Sequence, residues 1–494
     1  MEHDMKAHRT ASAPERRHDD SRVSSHSRDG EGELMHRSSF ARAFGLVMAC
    51  ALVGSVAACS SGSGGGSDGK VSITVQGMPP KSDPASRKAF LDRVAAFEKA
   101  NPKITIKPTD ATWDAQTFTA KLAGGSAETV ITAPLTEPQG LIARRQVKDL
   151  TADLKAWPQY NEYNSKLLAP TKDAATGKVY GLTAPIGTYS MGLVYNRALF
   201  AKAGLDPDKP PTTWEEVRQA AKAIHDKTGQ VGYAETTTNN TGGWHLTSYT
   251  YSRGGTMEKR QGDKYVPAFT GKATTDALQL LHDMRFVDNS MGSNQLQSQM
   301  DVQRRFAAGQ IGMYTDGPNA VGPIVQQYGG RLKDFGAGAL PQDGGNATQL
   351  GGSVVMVTAR ATAAQTSAAV KWILAEYLKP AYDPKEAAKR DKMTSADPKI
   401  LIGVPRVASF SEQAQQKVNA ARKPYVNVPL GNFQPYVDGN AELKLLTEPP
   451  VAAQKVYAAL DPVVQAVLTK KNADPAALLD KAAQQVSSDL ERGQ

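Results

Sequence analysis

The stretch "KVSITVQG" (70–77) sets Val71, Ile73 and Val75 on one side with polar residues between them, which predicts a half-buried strand. In the "SDPASRKAFLDRVAAFEKANP" that follows, the spacing becomes helical. Phe90, Leu91, Val94 and Phe97 share one face. Asp83 is placed to accept from the first free N–H groups, Pro84 suits the first turn, and Asn101-Pro102 ends the helix. "KITIK" (103–107) reads as a second strand, giving a β-α-β opening whose crossover favours a parallel sheet. The alternation continues through a helix in "TWDAQTFTAKLAGG", a short strand at Thr129–Thr132, and a helix and loop in "EPQGLIARRQVKDLTADL". Thr212 and Thr213 each have a glutamate three residues on, a doubled capping-box signal. Val217, Ala220, Ala221 and Ile224 then mark an amphipathic helix that Gly229 closes. Gln310–Thr315 reads as a buried strand. Spread over 494 residues, this α/β pattern exceeds one ordinary core and predicts about two.

One apolar run fits no such element. Residues 44–58 carry no charge, yet are too few to cross a bilayer, which takes roughly 20 residues. Arg37 and Arg42 precede the run and small residues end it, the order of a secretory signal. "VAAC" (56–59), followed by "SSGSGGGSDG", resembles a bacterial lipobox. The resemblance implies cleavage before Cys59 and acylation of its sulfur. Acyl chains contribute about 0.8 kcal/mol per buried CH₂, so several anchor firmly. Residues 59–69 then form a flexible tether. The blander alternative is an ordinary cleaved signal with Cys59 as a bystander. Residues 1–34 are polar and charged, so Met35 is the expected true start of a signal segment ending at residue 58. Cys50, the other cysteine, leaves with that segment, and no disulfide framework remains.

Charge changes the picture little. The net charge is +9, and the removed segment holds acids and bases in equal number. The remaining charges are interspersed, without the basic block or aromatic interleaving of a nucleic-acid binder. They suit solubility, an anionic envelope surface or an acidic ligand. His225, His245 and His282 have no metal-type spacing, and neither a metal nor a cofactor is expected. "GTYSMG" (187–192) is no nucleophile elbow, because Thr188 stands where its first glycine belongs. "TGKATT" (270–275) lacks a Walker frame. The chain is not expected to be an enzyme, although a glycosidase's carboxylate pair is spatial and invisible to spacing.

The most informative run is "GKVYGLTAPIGTYSMGLVYNRALFAKAGLDPDKPPTTWEEV" (177–217), which resembles the extracellular solute-binding protein family 1. These are sugar-capturing lipoproteins of ABC importers, similar in plan to maltose-binding proteins. "RRFAAGQIGMYTDGP" (304–318), "GALPQDGGNATQLGGSVVMVTA" (338–359), "AAVKWILAEYL" (368–378) and the closing 460–490 resemble further family segments, in order. There are departures: "SAETVITAP" stands where a Pro-Asp is common, and Arg145-Gln146 replaces a common glycine. The resemblance implies a two-lobed α/β fold of the periplasmic-binding-protein type, with a ligand cleft between lobes and crossover hinge strands. Lobe one takes 70–187 plus 341–378, and lobe two 188–340 plus 379–494. It also implies a monomer that delivers its solute to ABC permease subunits.

A sugar offers apolar C–H faces and a rim of hydroxyls, so its cleft needs aromatic platforms and planar polar groups. In lobe one the candidates are Asp110 and Glu137 as acceptors and Trp113 as a platform; the alternatives are a helix cap, a solvated loop acid and helix packing. Tyr189 lies in the first crossing. In lobe two, Trp244 is the platform and His245 a hydrogen-bonding neighbour. Asp316 and Asn319 follow the Gln310–Thr315 strand, though Asp316 would also suit a simple Asp-Gly turn. Gly351 and Gly352 allow close backbone approach, and Phe433 or Tyr436 adds a late aromatic. Trp214 and Trp372 read as packing residues. The expected ligand is a sugar or oligosaccharide. A glycerol-phosphate ester would call for convergent Arg/Lys or helix N-termini, and a polyamine for acids around aromatics. A secreted glycosidase would turn its glycoside over, and an adhesion module would have no cleft.

Overall fold

The computed structural model describes residues 69–262 and 264–492. The signal run, Cys59 and most of the tether lie outside them. Fourteen strands are described: β1 (Val71–Val75), β2 (Ile104–Pro108), β3 (Val130–Pro134), β4 (Gly181–Thr183), β5 (Tyr189–Ser190), β6 (Gly192–Asn196), β7 (Val231–Tyr233), β8 (Glu258–Gln261), β9 (Lys264–Pro267), β10 (Ile311–Asp316), β11 (Phe335–Ala339), β12 (Ala347–Gly351), β13 (Ser353–Val357) and β14 (Lys444–Leu446). They form a five-stranded sheet in the order β2-β1-β3-β13-β4 and a four-stranded sheet in the order β11-β6-β10-β7. A three-stranded strap, β14-β12-β5, and the hairpin β8-β9 complete them.

Local signals explain the elements. Asp83 Oδ1 accepts from Ser86 N at 3.1 Å and starts the helix Pro84–Ala100. Phe90, Val94 and Phe97 are buried on it, but Leu91 is 41% exposed, which corrects the four-residue face: only the i, i+4, i+7 stripe meets the sheet. Trp372 packs edge-on between Phe90 and Phe97, at centroid distances of 6.0 and 5.2 Å. Thr213 caps Trp214–Thr228 in a capping box with Glu216, whose carboxylate also accepts from Thr212 N at 2.7 Å. Parallel pairing of β1 with β2 bears out the β-α-β opening.

The fold is two-lobed, each lobe with its own core. One core lines the five-stranded sheet, with Ile73, Val130, Val355 and Trp372 fully buried. The other lobe has two clusters about the four-stranded sheet, one with Tyr195, Trp214 and Tyr457, the other with Tyr314, Phe335 and Phe433. The chain passes between the sheets after β4 and again between β12 and β13. At the second passage Gly352 has φ +135°, and a Cβ there would stand 3.0 Å from Thr188 Cα. Only glycine fits that conformation and that approach. The third passage falls later than residue 378. Asp383 caps a helix, Pro384–Thr394, whose Arg390 bonds to Glu376, and Phe410 joins the first core. Leu401 and Val404 pack on the second lobe's core, and Val428 lies in it, so segment 401–428 touches both lobes.

Glu258 is 6% exposed on β8, and burial pushes its carboxyl up to about 8. Oε2 accepts from Val451 N at 3.0 Å, and Oε1 has no partner among the described residues. In the unfolded chain such a carboxyl titrates near 4.5. Between those values the folded chain keeps a proton that the unfolded chain has released. Stability therefore falls as pH rises through that window and levels off above it. Glu258→Gln should flatten the fall and raise stability at about pH 9 by on the order of a few kcal/mol. Urea midpoints for both proteins at about pH 5 and 9 measure this; parallel curves would remove Glu258 as the cause.

Candidate functional site

Tyr189 on β5 stands opposite Gly351 on β12 across the strap. Its ring covers two glycines: a Cβ on Gly351 would come within 2.5 Å of the ring, and one on Gly317 within 2.3 Å. Beside it, Asp316 ends β10 with 2% exposure. Its Oδ2 accepts from Gln299 and Gln303 at 3.0 and 3.2 Å, and Oδ1 from Gly317 N at 2.8 Å. Asn319 is exposed just beyond, with Oδ1 over Gly317. Tyr436 supports the strap from within. Its hydroxyl donates to Ser190 O at 3.0 Å and accepts from Ser190 N at 3.1 Å.

The helix Thr241–Tyr251 brings Trp244 and His245 to the same side. Asp461 holds its first turn, accepting from Asn240 N at 2.7 Å and Gly243 N at 3.0 Å. Trp244 is half-buried, its ring 5.1 Å from that of His245. His245 is 1% exposed. Its Nδ1 lies 2.6 Å from Glu235 Oε1, so the Nδ1 proton is directed at that carboxylate and Nε2 is left as the free nitrogen. Nε2 is buried and has no protein partner among the described residues. Glu448 is 8% exposed and bonded by Tyr457 and by Gln349 Nε2, the latter at 2.6 Å. Burial pushes Glu448 up to about 7, while bonds from Tyr457, Gln349 and Trp244 act the other way.

The opposite wall follows β3. Glu137 is half-buried and raised by desolvation, with Arg144 opposing. Thr136 Oγ1 receives Gln454 Nε2 at 3.3 Å, and Gln454 Oε1 receives Asn240 Nδ2 at 2.8 Å. Leu135 belongs to the first-lobe core and Ala453 to the second, so this chain of bonds spans the two. Burial also raises Asp316 and Asp461, with His245 opposing. Burial thus raises Glu137, Asp316, Glu448 and Asp461 alike, and their oxygens are acceptors for hydroxyl donors.

The candidates therefore divide. Tyr189, Asp316, Asn319, Gly351, Gly352, Trp244 and His245 gather about the strap and the Thr241 helix, and Glu137 heads the facing wall. Asp110 is instead 51% exposed and paired with Arg87 at 3.3 Å. Asp114, two residues past Ser/Thr-type signals in the loop, is the cap of the next helix. Trp113 packs on Phe118 at 4.7 Å within its own lobe. Phe433 is 1% exposed and packs on Phe335 at 5.5 Å, and Tyr436 serves the strap; both are interior because η-turn and helix 430–441 lie against β11. Spacing had not pointed to Glu235, Gln349, Glu448, Gln454 or Asp461. The one local hint was Glu448 beside two prolines, an acid fixed in a stiff loop.

A family model described as bacterial extracellular solute-binding protein matches residues 92–389. The sn-glycerol-3-phosphate-binding periplasmic protein UgpB of Agrobacterium fabrum is 30% identical over 175 residues, 34% of this chain and 37% of that protein. The chain thus spans little more than a third of the length of such curated relatives. Among solved structures, a cyclic alpha-maltosyl-1,6-maltose binding protein from Arthrobacter globiformis superposes with TM-score 0.62 at 22% identity, over 86% of this chain and 100% of that one. UgpB from Mycobacterium tuberculosis, in complex with glycerophosphocholine, superposes with TM-score 0.64 at 18% identity, over 86% and 100%.

Proposed function

The chain belongs to the bacterial extracellular solute-binding proteins, which act outside the cytoplasm, and from that premise we propose that it captures a sugar or oligosaccharide between its lobes and delivers it to an ABC permease. It binds without turnover and works as a monomer. The lobes divide as the resemblance implies, except that the helix Pro384–Thr394 stays with the first lobe and the chain after it touches both. Acylated Cys59 holds the protein at the membrane, and Cys59→Ala is expected to move it from the membrane fraction to the medium.

The observation that carries this reading is the ring of Tyr189 laid over Gly317 and Gly351 beside buried Asp316. An aromatic face takes a sugar's C–H side, and the surrounding carboxyls and amides take its hydroxyls. A glycerol-phosphate ester is the second reading, favoured by the name of the Agrobacterium relative. Against it, the carboxyls of Glu137, Asp316, Glu448 and Asp461 are poor partners for a phosphate, and Arg144 beside Glu137 is the one cation named among them.

A thermal-shift screen of the purified chain against oligosaccharides, glycerol phosphates and polyamines tests the proposal. A ligand at 100 times its dissociation constant adds roughly 2.7 kcal/mol of stability. A saturable shift with one sugar class, and no product, is the expected result. A shift with glycerol phosphates alone would move the assignment to the second reading. A shift with polyamines alone would mean that the acids are ionised and matched to a cation.

A further inference from the structure

A hollow of about 790 Å³ shares none of the residues named for this cleft. Arg93 and Arg390 meet on Glu376, at 3.0 and 3.2 Å, and Arg390 also reaches Glu386 at 3.1 Å. Arg422 pairs with Asp391 at 2.6 Å. Arg406 has no hydrogen bond or ion pair among the described residues, although Asp391 acts on it at longer range. Arg406 is exposed and lines the hollow. Desolvation and the neighbouring Arg422 push it down to about 10. With Lys423, five cations line the hollow, against Asp391 on its wall and Glu376 and Glu386 behind. A positive excess favours an oxyanion, and guanidinium groups bind one through paired N–H donors.

Part of the remaining wall is apolar. Ile186, Leu430 and Val437 are 48%, 50% and 45% exposed, and all three line the same hollow. Large exposed aliphatic side chains gathered in one concavity beside a cationic end make an amphiphilic site. We propose that this hollow is a second binding site, separate from the solute cleft, for a small organic oxyanion with an apolar tail. Arg406 and Arg422 hold its head, and Ile186, Leu430 and Val437 cover its tail.

Calorimetric titration of the full chain carrying Cys59→Ser, which has no acyl chain to enter the hollow, tests this with hexyl phosphate as the probe. Saturable binding of one hexyl phosphate per chain is expected. Inorganic phosphate should bind about tenfold or more weakly, because it lacks the tail, and hexyl glucoside should not bind here. Arg406→Gln should weaken hexyl phosphate by about tenfold or more, and Val437→Glu, at an exposed position on the opposite wall, should do the same by repulsion. Trp244→Ala should leave it unchanged. Melting curves check that each variant is folded. A flat hexyl phosphate titration, equal binding by Arg406→Gln and Val437→Glu, or equal binding of hexyl glucoside overturns the site. Loss in Trp244→Ala would put the anion in the solute cleft and overturn its separateness. A failed sugar screen would bear on none of these readouts.

Discussion

Glu235→Ala is expected to lower folding stability by about 3–5 kcal/mol, measured by urea denaturation with an unchanged slope. Glu235 is 1% exposed and carries three partners: His245 Nδ1 at 2.6 Å, Thr236 N at 3.0 Å and Tyr249 OH at 2.5 Å. The chain of bonds continues from Tyr249 OH to Tyr233 OH and on to Thr315 Oγ1, each at 2.8 Å. Thr315 adjoins Asp316, so the network joins the Thr241 helix to the end of β10. Alanine leaves the imidazole N–H with only the longer contact to Thr236 Oγ1, at 3.2 Å, where water does not enter. An unpaired buried polar group costs its full desolvation. Glu235→Gln keeps a carbonyl for one donor and should cost less, about 1–3 kcal/mol. The two variants thus separate lost bonding from lost volume. A loss below about 1 kcal/mol for alanine would show that the network is satisfied by other means.

The sequence carried the fold further than the site. Caps at Asp83 and Thr213, the Val71–Ile73–Val75 alternation and the ordered motifs from 177 to 378 are local or sequential signals, and the structure reproduces the elements they predict. Strand limits moved by a residue or two, as at Val130–Pro134, because ladder partners rather than propensity set the ends. The site depends on contacts between distant segments. Thr136 and Gln454 are separated by 318 positions, and no periodicity reports that they meet. Asp110 follows a strand and Asp316 ends one. One ends beside Arg87 in solvent and the other beneath two glutamines, and burial alone distinguishes them. Aromatics are ambiguous for the same reason: the stretch "NFQPY" (432–436) reads as platform or packing, and contact with Phe335 and Ser190 decides for packing. Glycines were more informative, since a residue without Cβ at a crossing implies something lying close above it.

Tyr189 is that neighbour, and Gly351→Ala should weaken solute binding by roughly 30-fold or more, about 2 kcal/mol, in calorimetric titrations with whichever solute the screen identifies. The new Cβ would stand 2.5 Å from two ring carbons and 2.8 Å from the hydroxyl, distances that real carbons do not share. Gly351 is buried within β12 and held in register with Tyr189, so the backbone has little room to yield. The ring must swing toward the cleft, where a platform displaced by a fraction of its own thickness no longer presents its face. Overpacking would also lower stability by about 1–3 kcal/mol, so the folded fraction must be measured beside the affinity. A double-mutant cycle separates the effects. If the loss runs through the ring, adding Gly351→Ala to Tyr189→Leu should cost almost nothing further, because the smaller side chain has already removed both the platform and the clash. Additive losses would mean that Gly351 acts on the solute through its own backbone, and Tyr189 would then cease to be the platform of this site.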